Sequence, residues 1–195
     1  MNREEERQLI QQAQQGNAEA FMTLARTYQS RVFNLIYRLT KNREDTADLT
    51  QETFLKAFRA IKEFRVSSSF HTWLHRIAVN LSLNFLKKSE PQKNYREYFN
   101  SREDRDRDNK LANNFISPEN ASEAEQLKAS LEKAFDGLPT IYKAAFSLVV
   151  FQGMSHKEAA EVLGCSEGTV SWRIHQARRM IKEKLDPYFG RTKET

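Results

Sequence analysis

The sequence predicts an all-α protein in which two small helical domains are joined by a flexible linker. Its 195 residues include only six glycines and four prolines, and residues of high helix propensity dominate the rest. Apolar residues make up 39% of the chain and charged residues 29%, which leaves little material for one large core. Apolar positions recur at steps of three and four in two separate stretches, so each is expected to build its own core.

The first stretch, residues 1–90, is expected to form one domain with helices over 5–40, Asp45–Ile61 and Thr72–Lys88. Gly16-Asn17 predicts a break within the first of these helices, and Asn42 to Asp45 predicts the turn that follows it. The inward positions of the two later helices are Leu49, Phe54, Ala57, Phe58 and Ile61, then Leu74, Ile77, Ala78, Leu81 and Phe85.

Helical periodicity fails from Ser89 to Ser122, where Pro91 and Pro118 flank a charged run at 101–108 that has no apolar face. We therefore predict a linker over residues 91–121, extended or partly disordered. Periodicity resumes in a second domain over 122–190, with a helix that begins at Pro139 and ends at Gly153. The apolar positions before that helix are Leu127, Leu131, Phe135 and Leu138.

Charge is unevenly distributed. Residues 62–96 contain seven lysines and arginines against two acidic residues, and residues 139–195 contain nine against six. The segment between them, 97–138, has six basic residues against ten acidic ones. Two basic regions separated by an acidic one are typical of two contacts with a polyanion, although an ordinary solvated surface can have the same composition.

Several classes of protein are not supported by the sequence. A single cysteine, Cys165, excludes an internal disulfide and a cysteine-rich zinc site. The polar, acidic N-terminus does not resemble a signal peptide, and no apolar run approaches the roughly 18 residues of a membrane span, so we expect a cytoplasmic protein without membrane insertion. No glycine-rich phosphate loop, metal cluster or nucleophile motif is present, so we expect no catalysis, cofactor or bound metal.

A helix-turn-helix is predicted from Ser155 to Lys184. Ser155 and Glu158 fit a capping box, Gly164 supplies the turn, and Ser166 is placed to cap the second helix. The second helix has an apolar stripe at Val170, Ile174, Ala177, Ile181 and Leu185. Its opposite face has the reach to enter a major groove, with Ser171, Trp172, His175, Gln176, Arg178 and Arg179. An ordinary helical hairpin with a polar outer face is the alternative.

Aromatic and basic residues alternate between Phe64 and Lys88. Aromatic rings beside a cationic track bind single-stranded nucleic acid at about 1–3 kcal/mol per base, and Asn80 is suited to read a base that has left the stack. The alternative is that the aromatic residues, Phe70, Trp73 and Phe85, belong to the core. His71 and His75 have metal-ligand spacing, but without a third ligand nearby we expect surface or phosphate-facing histidines.

Three segments, in this order and spacing, resemble the signature blocks of the extracytoplasmic-function (ECF) sigma factors, a subfamily of bacterial RNA polymerase sigma factors. They are residues 48–58 (DLTQETFLKAF), 70–80 (FHTWLHRIAVN) and 168–178 (GTVSWRIHQAR). The resemblance covers about residues 5–88 and 122–187, which is most of the chain.

The resemblance implies a dissociable subunit that directs RNA polymerase core to specific promoters, of a stress or envelope regulon, and promotes DNA melting. Residues 1–90 would be sigma domain two, bound to the coiled coil of the largest polymerase subunit, and residues 122–190 sigma domain four, bound to the flap. The linker would thread toward the active-site channel and the RNA exit path. An anti-sigma factor is a further implied partner.

The contact residues that the resemblance implies fall into three groups. Those for core polymerase are Asp48, Leu49, Gln51, Glu52, Phe54, Leu55, Phe58 and Ile61. Those for the minus-ten promoter element are Phe64, Arg65, Ser69, Phe70, His71, Thr72, Trp73, Arg76, Asn80, Lys87 and Lys88. Those for the minus-thirty-five element are Thr169, Ser171, Trp172, Arg173, His175, Gln176, Arg178 and Arg179, of which Arg173, Arg178 and Arg179 are expected phosphate contacts.

The chain departs from the family pattern on the reading face of its last helix. Many members carry arginine at the positions of Ser171 and Gln176, a small polar residue at that of Trp172, and an aromatic residue at that of His175. Gln176 is suited to pair bidentately with adenine, and Trp172 to contact a thymine methyl group. We therefore expect a minus-thirty-five preference that differs from the common one of the group.

Two alternatives remain at this stage. A stand-alone helix-turn-helix regulator accounts for residues 155–184 but not for the aromatic and basic block, and such a regulator binds a palindrome alone as a symmetric dimer. Cys165, in the turn, is expected to be a small buried hydrophobic residue, with a redox switch as the alternative.

Overall fold

A computed structural model of the chain describes residues 1–65, 69–89 and 123–189. Within these ranges it contains helices and connecting turns and no strand, which confirms the all-α prediction. The helices are α1 (Arg3–Gln14), α2 (Ala18–Thr40), α3 (Arg43–Ala60), α4 (Phe70–Ser89), α5 (Glu123–Asp136), α6 (Thr140–Phe146), α7 (His156–Leu163) and α8 (Glu167–Phe189). A 3₁₀ turn, Ile61–Glu63, follows α3, and a π-helical turn, Ser147–Phe151, follows α6. The predicted linker, 91–121, lies outside the described residues.

Local capping sets most helix boundaries. The Asn17 side chain accepts a hydrogen bond from the Ala20 N–H at 3.2 Å, so α2 begins directly after the predicted break at Gly16-Asn17. Asn42 accepts from the N–H groups of Glu44 and Asp45. This cap starts α3 at Arg43, two residues before the predicted start, because the asparagine serves as N-cap rather than as part of a longer turn.

Helices α1 to α4 form the first unit, in which α2 packs against α1, α3 and α4. The buried residues of α2, among them Phe21, Leu24 and Leu35, recur at steps of three and four and so lie on one face of the helix. The Gln14 side chain donates to the carbonyls of Ile61 and Phe64 at 3.2 and 2.8 Å, which ties α1 to the turn after α3. This contact fixes the point from which the chain leaves toward α4.

Helices α5 to α8 form the second unit. Here the prediction of one continuous helix from Pro139 to Gly153 is wrong in detail, since the α-helix ends at Phe146 and a π-helical turn continues to Phe151. That turn lets the rings of Phe146 and Phe151 approach each other at 5.7 Å, and both also contact Phe135 of α5. The aromatic cluster packs the end of α6 against α5.

The two units pack against each other, with α4 lying on α7 and α2 contacting α6 and its π-helical turn. One apolar cluster runs from α1 through α4 into α6, α7 and α8, and a smaller cluster at Phe135, Leu138 and Ala177 lies beside it. The expectation of two separate cores is therefore wrong. Apolar residues of α4, in the first unit, and of α7, in the second, are buried against each other.

Polar contacts on α2 reinforce this interface. The Arg38 guanidinium lies 4.0 Å from the centre of the Phe151 ring, and Lys41 forms an ion pair with Asp136 at 2.5 Å. The Gln152 side chain donates to the Arg31 carbonyl at 3.3 Å. The ion pair is partly exposed, so it contributes little to the stability of the interface, and the apolar contacts dominate.

His71 and His75 lie at this interface, contrary to the expectation that they face solvent or phosphate. His75 is fully buried, and its Nδ1 lies 2.8 Å from the His71 carbonyl oxygen. Burial, and next the neighbouring His71 ring, lowers the pKa of His75 to about 4, with the Gln152 amide opposing the shift. Burial and Arg31 lower the pKa of His71, while Glu158 of α7 and Glu6 of α1 raise it.

The burial of His75 predicts a stability that falls on acidification. The unfolded chain takes up a proton near pH 6.5 and the folded chain only near pH 4, so the free energy of unfolding decreases as the pH falls through this window. The expected loss is on the order of 3 kcal/mol. Denaturant unfolding between pH 4 and 8 measures it, and His75→Leu is expected to flatten the curve. His175→Gln, which alters an exposed histidine, is the control, and equal pH dependence of wild type and His75→Leu would contradict the assignment.

Candidate nucleic-acid interface

The second helix of the helix-turn-helix, α8, buries one face and exposes the other, as the sequence predicts. Val170, Ile174, Ala177 and Leu185 are buried, and Ile181 is half-buried. The reading face, defined here as Ser171, Trp172, His175 and Gln176, has its first three residues exposed and Gln176 half-buried. Arg178 and Arg179 are exposed beside it, and Thr169 is half-buried at its start. The described part of the helix therefore presents hydrogen-bonding groups beside two cations.

Local hydrogen bonds position this helix. Ser155 and Glu158 form the predicted capping box at the start of α7, with bonds of 2.9 and 3.2 Å. The Glu158 carboxylate accepts from both the N–H and the hydroxyl of Ser155, and these two bonds lower the pKa of Glu158. Gly164 adopts φ 63°, a left-handed conformation that favours glycine and turns the chain sharply between the helices. The Ser166 hydroxyl accepts from the Thr169 N–H at 3.2 Å and so caps α8.

Two residues outside α8, neither of them predicted from the sequence, support the reading face. The Nδ1 atom of His156, at the start of α7, lies 2.8 Å from the Ser171 hydroxyl oxygen. The ring of Tyr142, on α6, meets the ring of Trp172 edge to face with centroids 5.8 Å apart. Each contact spans 15 residues or more along the chain, so helical periodicity gives no signal for it.

Arg173 lies on the buried side of α8 and not on the DNA-facing side that the resemblance implies. It is predicted to be a phosphate contact, but only 8% of it is exposed, and its guanidinium donates to the Cys165 sulfur at 3.7 Å. Position 173 lies toward the buried stripe of α8, so its aliphatic stem packs inside the helix-turn-helix. Cys165 is half-buried against the core, and burial raises the pKa of its thiol, which disfavours the reactive thiolate that a redox switch requires.

The aromatic and basic block around α4 divides into a buried and an exposed set. Phe64, Phe70 and Thr72 are buried, and the rings of Phe64, Phe70 and Trp73 lie 5.1 to 5.8 Å apart in one cluster. Trp73 and Phe85 are half-buried and pack on the core. The structure therefore favours the core alternative for these aromatic residues, because the inward face of α4 supplies the packing surface between α2, α3 and α7.

The exposed set of this block is polar and basic, and consists of Arg65, Ser69, Arg76, Asn80, Lys87 and Lys88. Ser69 caps α4, with its hydroxyl accepting from the Thr72 N–H at 3.0 Å. Arg76 and Asn80 are four residues apart and so share one helix face. Residues 66–68, in the loop that leads to α4, lie outside the described residues.

The predicted polymerase-binding face on α3 is largely exposed. Asp48, Gln51, Glu52, Leu55 and Phe58 are exposed, and Phe54 is half-buried. Leu55 is 49% exposed and Phe58 46%, the latter with its ring against Phe21 at 5.1 Å. Leu49 and Ile61 are buried, as their helical spacing predicts, which corrects the surface contacts that the resemblance implies for them. Phe58, predicted to lie inward, is instead exposed. Glu52 pairs with Lys56 at 3.0 Å on the helix surface.

The described residues contain no group of three or more histidine, cysteine, aspartate or glutamate side chains that could hold a metal ion. Among the same residues, no helix is long and apolar enough to cross a membrane.

The chain matches two family models. Residues 24–91 match sigma-70 region 2 and residues 128–181 match sigma-70 region 4. The first contains α3, α4 and most of α2, and the second contains α6, α7 and most of α5 and α8.

Curated relatives match over nearly the full chain. RNA polymerase sigma-H factor of Pseudomonas aeruginosa is 33% identical over 194 residues, covering 96% of this chain and 97% of the relative. ECF RNA polymerase sigma-E factor of Haemophilus influenzae is 36% identical over 183 residues, covering 92% and 94%. Among solved structures, CnrH in complex with the cytosolic domain of CnrY has a TM-score of 0.65 at 26% identity, covering 94% of this chain and 98% of that one.

Because Arg173 is buried and Arg178 is exposed, alanine substitutions at the two positions are expected to have different effects on stability and on DNA binding. Arg173→Ala is expected to reduce the free energy of unfolding by about 1–2 kcal/mol, because it removes buried packing. Arg178→Ala is expected to leave stability unchanged within about 0.5 kcal/mol and to lower the salt dependence of promoter binding by about one unit of slope. Thermal unfolding and salt titrations of binding separate the two effects. A salt effect from Arg173→Ala without loss of stability would contradict this assignment.

Proposed function

The chain belongs to the ECF sigma factors of bacterial RNA polymerase, and from that premise we propose how its surfaces divide the work of transcription initiation. The observation that carries the proposal is the exposed apolar pair Leu55 and Phe58, set among carboxylate and amide groups on α3. Large apolar side chains ringed by polar ones are typical of protein-binding surfaces. A stand-alone regulator can use such a surface only for its own dimer. The relatives that this chain matches over 97% and 94% of their length are RNA polymerase sigma factors.

The α3 face is proposed to bind the coiled coil of the largest polymerase subunit, with Leu55 and Phe58 as its apolar centre and Asp48, Gln51 and Glu52 around them. A second polymerase contact, to the flap, is proposed for the second unit. Leu127 and Leu131 of α5 and Val150 and Phe151 of the π-helical turn support it, because all four are exposed apolar side chains.

The exposed set on α4 is proposed to hold the minus-ten element. Arg76, Lys87 and Lys88 supply positive charge for the phosphates, and Asn80 supplies hydrogen bonds to a flipped base. The loop between Phe64 and Phe70, which includes residues outside the described ranges, is proposed to take part in opening the duplex. The ring contacts among Phe64, Phe70 and Trp73 hold the residue before the loop against the start of α4.

The reading face of α8 is proposed to enter the major groove of the minus-thirty-five element, with Arg178 and Arg179 on the flanking phosphates. The two elements are about 25 base pairs apart, or about 85 Å along the duplex at 3.4 Å per pair. Since α4 and α7 are in contact, the packed arrangement cannot reach both elements at once. The two units are therefore proposed to separate on promoter binding, with residues 91–121 spanning the gap.

Other parts of the proposal rest on the relatives. One solved neighbour is described as the sigma factor RpoE in complex with the anti-sigma factor NepR from Bartonella quintana, and we propose such a partner for this chain. The chain is proposed to have no catalysis of its own and to act in the cytoplasm with polymerase and DNA. A stress or envelope regulon is the proposed target.

A test of the α3 face compares Leu55→Asp with Met22→Asp. Met22 is 47% exposed on α2, outside the proposed face, and is the matched control. Leu55→Asp is expected to weaken core polymerase binding roughly tenfold or more, because it places a charge at the centre of the interface. Both variants are expected to keep the thermal midpoint of the wild type.

Mobility shifts of promoter DNA with and without core polymerase complete this test. Wild type is expected to shift the DNA well only with core, and Leu55→Asp to lose that shift. A symmetric, core-independent complex would identify a stand-alone regulator instead. Equal core affinity of Leu55→Asp and Met22→Asp would refute the proposed face.

Promoter preference is tested by reconstituted transcription on a library randomised in the minus-thirty-five element. Because Ser171, Trp172, His175 and Gln176 differ from the family pattern, the selected sequence is expected to differ from the common one of the group. Recovery of the group's usual sequence would show that these four residues do not set promoter choice.

A further inference from the structure

We propose that His156, which lies outside the recognition helix, is a specificity-determining residue for the minus-thirty-five element, because it fixes the hydrogen-bonding direction of the Ser171 hydroxyl. The inference rests on the proposed function of the reading face. It adds a residue from α7 to a surface otherwise formed by α8, through the contact of 2.8 Å between His156 Nδ1 and Ser171 Oγ.

The position of His156 is set by its own helix. It directly follows Ser155, whose capping box with Glu158 fixes the first turn of α7. His156 is half-buried, so its ring has limited freedom, whereas Ser171 is exposed on the reading face. The serine hydroxyl is therefore the movable partner and the imidazole is the fixed one.

The chemistry of this pair restricts what Ser171 can offer a base. A neutral imidazole has one donor and one acceptor nitrogen, and a serine hydroxyl has a single proton. When Nδ1 accepts that proton, Ser171 presents only lone pairs to DNA. When Nδ1 donates instead, the serine proton is free for a base acceptor.

The phosphate environment of a docked helix-turn-helix selects between these two states. Phosphate oxygens accept hydrogen bonds. In the second state Nε2 carries no proton and cannot donate to such an oxygen. In the first state the imidazole proton lies on Nε2, from which it can be donated to a phosphate oxygen. In this state Ser171 is an acceptor. In the major groove the groups that donate to it are the amino groups of adenine and cytosine. We therefore infer a preference for adenine or cytosine at the base that Ser171 contacts.

The neighbouring reading residue is also held from outside α8, since Tyr142 of α6 packs edge-on against Trp172. That contact is apolar and does not set a donor or an acceptor. His156 is thus the one residue in the described helix-turn-helix with a side-chain hydrogen bond to the reading face.

The test is selection of minus-thirty-five sequences by holoenzyme reconstituted with the full chain. The variants are His156→Ala, Ser171→Ala, the double variant and His156→Asn, whose amide oxygen replaces the acceptor near Nδ1. Lys157→Ala, at the exposed next residue, is the control. Thermal unfolding checks that each variant folds.

In wild type, one position of the DNA strand that Ser171 contacts is expected to favour adenine or cytosine over guanine or thymine. His156→Ala is expected to reduce that preference roughly three- to tenfold, the range for one hydrogen bond, and His156→Asn to restore most of it. In the Ser171→Ala background His156→Ala is expected to change nothing further, because the two residues act as one unit. Lys157→Ala is expected to leave the preference unchanged.

Three results would overturn the inference alone: an unchanged preference in His156→Ala, a uniform loss of binding across all sequences, or additive effects in the double variant. A uniform loss would make His156 a phosphate contact without a role in base choice. A wild-type holoenzyme that is indifferent to the minus-thirty-five sequence would instead overturn the proposed function, and the inference with it.

Discussion

The contact between α4 and α7 is the constraint on which the arrangement of the whole chain depends. It joins two groups of helices around a shared apolar core, with His75 buried and His71 half-buried there. Burial favours the neutral form of the His75 imidazole. The contact that buries apolar surface therefore also has the free-energy cost of removing a polar ring from water. The net stabilisation of the interface is thus smaller than its buried apolar area alone would give. A weaker interface is consistent with two units that are proposed to separate on a promoter.

This packing divides each amphipathic helix into a structural and a functional half. On α4 the aromatic residues are directed inward, and the basic and amide groups at Arg76, Asn80, Lys87 and Lys88 remain outside. On α8 the apolar stripe and Arg173 are directed inward, and the reading face remains outside. On α3 the apolar pair Leu55 and Phe58 is left exposed, although most large apolar side chains of that unit are buried. An exposed apolar pair on an otherwise well-packed unit is the feature most directly explained by a protein partner.

The reading face is composite. The rings of His156 and Tyr142 arrive from two other helices and limit the freedom of Ser171 and Trp172 before DNA is present. Side chains that are ordered in advance lose less conformational entropy on binding, so a contact of a given strength contributes more to affinity and to discrimination. Arg173 supports α8 from its buried side, because its guanidinium donates to the Cys165 sulfur in the turn.

The sequence by itself determined the features that depend on neighbours within about four residues: the caps at Asn17, Asn42, Ser155 and Ser166, the left-handed turn at Gly164, and the buried stripes of α2 and α8. The sequence also determined the family, because each of the three motifs is a run of consecutive residues that can be recognised without knowledge of the fold. Only the tertiary structure decided that Phe64 and Phe70 are core, that Arg173 and His75 are buried, and that His156 meets Ser171. Helical periodicity marks which positions share a face, but it does not specify which helix covers that face. That choice depends on packing between residues far apart in the chain.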